Sequence, residues 1–326
     1  MTEMIRSAWS LHGVSVEMVS ADPEMAAAAA RLMAGWPRAE VDRADVRFDL
    51  LRADVGELAS RRLPKDRCDQ WPGLEVGADG HTLWFRRERC GSLVLVDLRA
   101  RRGWAYVTDR DISSQSIEVI VSGLIPMALA QILTRRGMFS IHACAAARDG
   151  RAIVAAGGGG AGKSTLTVSL ARAGLAVLSD DRVLIRRAAA NIECLAWPGP
   201  VNLTAESVGL FPELVGARLP PGTLQGKLAV APAAIYQSPK VESARPQLLL
   251  FPTVGDQAES RFEPLPPGEA LVRLVPCSLF YAHRQVLAEH LAALRDLVAA
   301  CRCYRLDLGG DVADVGGRVA SLLLSP

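Results

Sequence analysis

The run Gly157-Gly158-Gly159-Gly160-Ala161-Gly162-Lys163-Ser164 satisfies the pattern G-x-x-x-x-G-K-[ST]. Its glycines leave successive backbone N–H groups free to turn toward one anion, where side chains would obstruct them. Lys163 is long enough to reach the β- and γ-phosphates of a nucleotide, and the Ser164 hydroxyl can ligate Mg²⁺. Gly157, Gly158, Gly159, Gly160, Ala161, Gly162, Lys163, Ser164 and Thr165 are therefore the candidate nucleotide-binding residues. A second group, Asp180-Asp181, follows the strand after the loop helix. Residues at the carboxyl end of a strand line the ligand crevice of an open α/β sheet. One carboxylate there can hold Mg²⁺, directly or through water, while its neighbour accepts a proton from an attacking hydroxyl. The competing reading is a solvated turn. His142, in a strand shortly before the loop, is the third candidate, although a lone strand histidine is more often a core residue.

These residues need elements to position them, and the texture from Phe139 onward supplies alternating strands and helices. Phe139–Ala147 reads as a strand, Arg148-Asp149-Gly150 as a tight turn and Arg151–Ala156 as a second strand. The glycine loop then opens a helix over Lys163–Ala173, whose positive dipole end faces the loop and which Gly174 stops. Strands follow at Leu175–Leu178 and Arg182–Arg187, then proline-marked turns (Pro198, Pro200, Pro212, Pro220-Pro221, Pro232) and a strand at Gln247–Phe251. A helix over Gln285–Cys301 precedes a strand–helix pair, Tyr304–Leu308 and Asp311–Leu324.

The first third reads as a smaller α+β module. Asp22 can cap a helix over Met25–Met33, with Pro23 in its first turn and Gly35 at its exit. Strand-like runs at Val46–Leu51, Thr82–Arg86, Ser92–Leu98 and Trp104–Thr108 suggest an antiparallel sheet. Trp9, Trp36, Trp71, Trp84 and Trp104 read as core. Ser113-Ser114 opens an amphipathic helix that runs to Arg136 and bridges the two parts, so residues 1–112 form the module and 113–326 the second domain.

Composition narrows the function classes. The net charge is +2 with both signs interspersed, so no nucleic-acid surface is expected. Cys68, Cys90, Cys144, Cys194, Cys277, Cys301 and Cys303 form no CxxC pair and read as reduced buried thiols. The first residues lack the apolar core of a signal peptide, and Ile117–Thr134 is interrupted by Glu118, Ser122, Pro126 and Gln131. A soluble cytoplasmic protein, with no membrane partner, is the expectation.

A histidine-bearing strand, a hairpin, a phosphate loop, its helix and a strand ending in Asp-Asp together resemble the HPr kinase/phosphorylase family, P-loop kinases whose core is related to that of phosphoenolpyruvate carboxykinase. Ser140-Ile141-His142-Ala143-Cys144-Ala145 is similar to the LHASAV stretch of HPr-kinase-like proteins from bacterial peptide-modification clusters. Gly174-Leu175-Ala176-Val177-Leu178-Ser179-Asp180-Asp181 is similar to their segment ending LLSDD. The resemblance implies an α/β fold of that kinase type and ATP phosphates on Gly157–Ser164, with Lys163 on the phosphates and Mg²⁺ on Ser164 and Asp180. It also implies His142, Asp180 and Asp181 around the acceptor hydroxyl, with Asp181 favoured as general base. Gly226-Lys227-Leu228-Ala229-Val230 is similar to the family's GRNLAV segment and puts Lys227 where an active-site arginine would stand. The family's Glu-x-Arg-Gly signature has no match, since Cys194–Ala205 reads Cys-Leu-Ala-Trp-Pro-Gly-Pro-Val-Asn-Leu-Thr-Ala. The resemblance therefore does not extend to the reverse phosphorylase reaction or to HPr as substrate.

The implied activity is an ATP- and Mg²⁺-dependent kinase acting on a hydroxyl, serine in a peptide or small protein first. Within the resemblance, the peptide version is similar to the precursor-peptide kinases found beside lasso-peptide genes. The rivals are a small-molecule kinase and a nucleotide-binding regulator without phosphotransfer. Homo-oligomerisation is compatible with each. The absence of an LSGGQ-like segment disfavours an ABC-type ATPase, and the absence of NKxD a GTPase.

Overall fold

The computed structural model describes residues 3–60, 63, 66–71, 74–87, 91–109, 117–188, 191–220, 226–278 and 284–325. Ser113-Ser114, Pro221 and Cys90 lie outside the described residues, as do the side chains of Cys68 and Trp71. The chain forms two units, one over Met1–Arg136 and the other over Gly137–Leu279 and Gln285–Pro326.

The first unit is a sheet of β1 (Ile5–Leu11), β2 (Val14–Ser20), β3 (Val46–Ala53), β4 (Asp66–Trp71), β5 (Leu74–Asp79), β6 (Thr82–Arg87), β7 (Leu93–Asp97) and β8 (Arg102–Thr108). Their order is β1-β2-β3-β8-β7-β6-β5-β4. The sheet is mixed rather than antiparallel, because β3 pairs parallel to both β2 and β8. The cause is helix α1 (Pro23–Leu32), which carries the chain from β2 over to β3 as parallel pairing requires. Asp22 caps α1 by accepting from the N–H groups of Glu24 and Met25 at 2.9 and 3.2 Å. The helix ends at Met33, before the glycine expected to close it. After the short helix α2 (Val55–Ser60), α3 (Ile117–Thr134) packs on α1 and on β6, β7 and β8. It thus belongs to this unit, and the division between units falls at 136/137 rather than at 112/113. Trp9, Trp36 and Trp84 are core residues, while Trp104 is half-buried under Arg102.

The second unit is built on β9 (Met138–Ile141), β10 (Ala143–Arg148), β11 (Arg151–Ala156), β12 (Ala176–Ser179), β13 (Val183–Ala188), β14 (Asn191–Leu195), β15 (Val201–Leu203), β16 (Leu228–Val230), β17 (Ser243–Val254), β18 (Arg261–Pro264) and β19 (Arg302–Leu308). β11, β17 and β19 run parallel, flanked by β10 and β12 on one side and by β18 on the other. The Cys144, Ala146, Ile153 and Ala155 positions of β10 and β11 are buried and mostly small, which brings helix α4 (Lys163–Arg172) close to the sheet. Leu166 and Leu170 of that helix share one core with Leu248, Leu250, Leu306 and Leu308 from the parallel strands.

The run expected as one strand over Phe139–Ala147 is broken at His142. β9 pairs with β13, whereas β10 pairs with β11 and β12. At the break the His142 N–H donates to Cys277 O at 2.6 Å, and Ile141 bridges Ser278. No helix among the described residues is long and apolar enough to cross a membrane.

Candidate active site at the carboxyl edge of the parallel strands

Strand register brings the candidate residues together. Ala143, next to His142, lies opposite Ala156, the last residue of β11 before the glycine loop. Ala145 lies opposite Ser179, the last residue of β12 before Asp180-Asp181. The loop, the aspartates and the histidine thus share one edge of the sheet, where the dipoles and loops of an α/β fold converge.

The loop has the form of an anion cradle. Gly162 is left-handed, with φ 87°, and a Cβ there would lie 2.5 Å from Leu308 Cδ1, so glycine is required on both counts. At Gly158, Gly159 and Gly160 a Cβ would meet nothing within 4 Å. The protein leaves that side of the loop open. No side chain caps the N-terminus of α4, so its first N–H groups face the opening without an internal acceptor. Lys163 is buried and folds back across the loop, donating from Nζ to Gly157 O at 2.8 Å and Gly158 O at 2.9 Å.

The two aspartates occupy different environments. Asp180 is 8% exposed, and its Oδ2 accepts from Ser164 Oγ at 2.9 Å and from the Asn202 N–H at 3.3 Å. Its Oδ1 lies 3.0 Å from Thr167 Oγ1, which also reaches the Lys163 carbonyl at 2.9 Å. Burial raises its pKa to about 6, and the neighbouring Asp181 charge adds to that, against the hydrogen bonds that favour the anion. Asp181 opens to solvent over 63% of its side chain and pairs with His142, Nε2 to Oδ1 at 3.0 Å. Burial of its inner side raises its pKa, but the His142 hydrogen bond and the charges of His142, Arg182 and Lys163 outweigh that and hold it at about 2.

Two candidates stand apart from this constellation. Thr165 turns its hydroxyl away from the loop to Ser207 Oγ at 3.2 Å. Lys227 immediately precedes β16, which pairs with the β15 strand that contacts Asp180 through Asn202, but its side chain forms no ion pair among the described residues. Conversely, Thr167 and Arg182 were not anticipated. Thr167 stands four residues after Lys163, on the same helix face, a spacing that could have pointed to it. The Arg182 guanidinium lies 5.3 Å from the Trp197 ring centre and places a buried positive charge beside Asp181. No local pattern announces that contact. Among the described residues, no group of three or more His, Cys, Asp or Glu side chains is arranged to hold a metal ion. The oxygen set available to a cation is Ser164 with Asp180.

No family model matches the chain, and no curated protein matches it. Among solved structures it is similar to the Hpr(Ser) kinase/phosphatase from Coxiella burnetii, at 15% identity, over 47% of this chain and 93% of that one, with a TM-score of 0.25. A likeness that distant carries no argument here.

Proposed function

We propose that the protein is an ATP-dependent kinase that phosphorylates a hydroxyl, with a serine of a peptide or small protein as the favoured acceptor. The observation that carries the reading is that an ionised, solvent-facing carboxylate, Asp181 held by His142, shares one sheet edge with an uncapped phosphate loop. A regulator that only senses nucleotide has no use for that exposed pair.

The residues fit MgATP. The open side of Gly158–Gly160 and the free N–H groups of α4 suit its phosphates, and Ser164 with Asp180 suits an oxygen-seeking cation completed by water and phosphate. When bound, MgATP supplies the transferable phosphoryl group and the cation that neutralises its charge. Lys163 brings a positive charge to the loop mouth. His142 holds Asp181 by one oxygen, leaving the other to orient an acceptor hydroxyl and take its proton as the O–P bond forms. At a pKa of about 2, Asp181 is a weak base in the ground state, so its contribution is chiefly alignment. The serine and peptide preference rests on the sequence resemblance around His142–Asp181.

Calorimetric titration with MgATP and single-turnover transfer from labelled ATP test the reading. Lys163→Ala should remove most ATP affinity without unfolding the chain. Asp181→Asn should keep ATP affinity and slow transfer by about 10²–10⁴-fold, the range of general-base and positioning effects. Transfer at the wild-type rate by Asp181→Asn would defeat the kinase mechanism.

A further inference from the structure

At the opposite edge of the same sheet lies a concavity of about 870 Å³, within the size range of small-molecule sites. Arg151, Arg245 and Arg302 enter it from the amino-terminal ends of β11, β17 and β19, and Arg187 from β13. Parallel pairing places Arg151 directly opposite Arg245, so two guanidinium groups project from adjacent strands. One carboxylate, Asp296, is among the lining residues, and it is engaged by Arg187 at 2.6 Å. Arg245 donates to the neutral side-chain oxygen of Asn191, and Arg151 forms no ion pair among the described residues. Arg302 is turned onto the end of the last helix, where it donates to Leu322 O and Ser325 Oγ.

We propose that this basic concavity binds a small anion carrying two or more phosphoryl groups, at a site separate from the glycine loop. Four cations against one carboxylate leave an excess of positive charge that a multivalent anion would neutralise. The guanidinium fork matches phosphoryl oxygens two at a time, which lysines would not do. The six-residue β11 strand separates Arg151 from the loop by about 20 Å, beyond the reach of unscreened attraction at physiological salt. One ligand therefore cannot serve both places. The site stands whether or not the kinase reading does.

The test is calorimetry with inorganic tripolyphosphate on the full chain, at low and physiological salt. In Lys163→Ala, where the loop is disabled, one binding event should persist. Adding Arg151→Gln and Arg245→Gln should weaken that event about tenfold or more, as expected for lost charge-assisted bonds. The MgATP binding event that Lys163→Ala removes should be unchanged in the arginine variants of the otherwise wild-type chain. Asp296→Asn supplies a variant whose effect misfolding cannot imitate, because removing the one carboxylate should tighten tripolyphosphate binding several-fold. Loss of all binding in Lys163→Ala, or an Asp296→Asn protein that binds no more tightly, would overturn the proposal.

Discussion

Across one peptide bond Asp180 and Asp181 lie on opposite sides of the ordinary carboxylate range, because burial raises the first to about 6 while the His142 hydrogen bond and neighbouring cations hold the second at about 2. Thr167 has one hydroxyl proton but faces two acceptors, the Lys163 carbonyl and Asp180 Oδ1. When that proton goes to the carbonyl, the remaining lone pair faces Asp180, and a proton on Oδ1 satisfies it. Burial thus favours a protonated Asp180 up to about pH 6 and makes its ionised form costly above that, a cost that a bound cation would offset. An amide at position 180 reproduces the neutral form, with its oxygen toward Ser164 and its NH₂ toward Thr167. Asp180→Asn should therefore stabilise the metal-free protein at pH 7.5 by up to about 3 kcal/mol, the cost of ionising a carboxyl whose pKa burial has raised from 3.8 to about 6. The same variant should lose its response to added Mg²⁺. Denaturant unfolding in chelator, repeated with Mg²⁺, checks both, and equal destabilisation under the two conditions would contradict this account.

Helix α9 (Val315–Leu324), which follows α5 (Ala205–Gly209), α6 (Pro232–Ile235), α7 (Pro267–Leu274) and α8 (Arg284–Ala300), clamps α4, the helix that follows the glycine loop, from behind. Ser169 donates to Ala313 O at 2.9 Å and accepts from the Gly316 N–H at 2.8 Å. A Cβ on Gly316 would come 2.1 Å from Ser169 O, a backbone atom that cannot rotate aside. Gly316→Ala should push the helices apart, costing about 1–3 kcal/mol as overpacked positions do, and weaken MgATP binding by displacing α4. Thermal melting and nucleotide titration of that variant test the clamp, and an unchanged melt would refute it. This clamp was invisible in the sequence, because helix–helix approach depends on which residues meet. What local sequence did convey was the strand–loop–helix around Lys163 and the turn at Asp180, since glycine runs, caps and alternation are short-range signals. The break at His142 was missed because Ile141 and Ala143 are equally strand-like, and only pairing with β13 on one side and β11 on the other reveals it. The mixed, half-buried residues of β1 likewise hid an edge strand, and the parallel pairing of β3 with β2 and β8 is a long-range feature that no local run of residues announces.

Across the second unit as a whole, two buried groups should set opposing pH dependences of stability. His290, in α8, stacks on Phe139 with ring centres 4.9 Å apart, and burial lowers its pKa from 6.5 to about 4. Above pH 6.5 it is neutral in both folded and unfolded chains. As pH falls from 6.5 toward 4 the unfolded chain gains a proton that the folded one resists, so stability drops by about 3 kcal/mol. Asp180 works the other way. Below about pH 4 it is protonated in both states, and as pH rises toward 6 the folded chain keeps a proton the unfolded one has lost, so stability falls with rising pH. The two slopes nearly cancel, and the metal-free wild-type unit should show a flat profile between pH 4 and 6.5. Carboxylates of lowered pKa, Asp181 and Asp311 among them, act mainly below that window. Removing either member should expose the other. Asp180→Asn should become more stable by about 3 kcal/mol from pH 4 to 6.5, whereas His290→Leu should become less stable by a similar amount from pH 4 to 6. Five of the six tryptophans precede residue 110, so fluorescence would report mainly on the other unit. Calorimetry in chelator, following the transition that shifts when Asp180 is substituted, is the suitable readout. Parallel profiles for the two variants, whatever their absolute stabilities, would show that these groups do not balance each other.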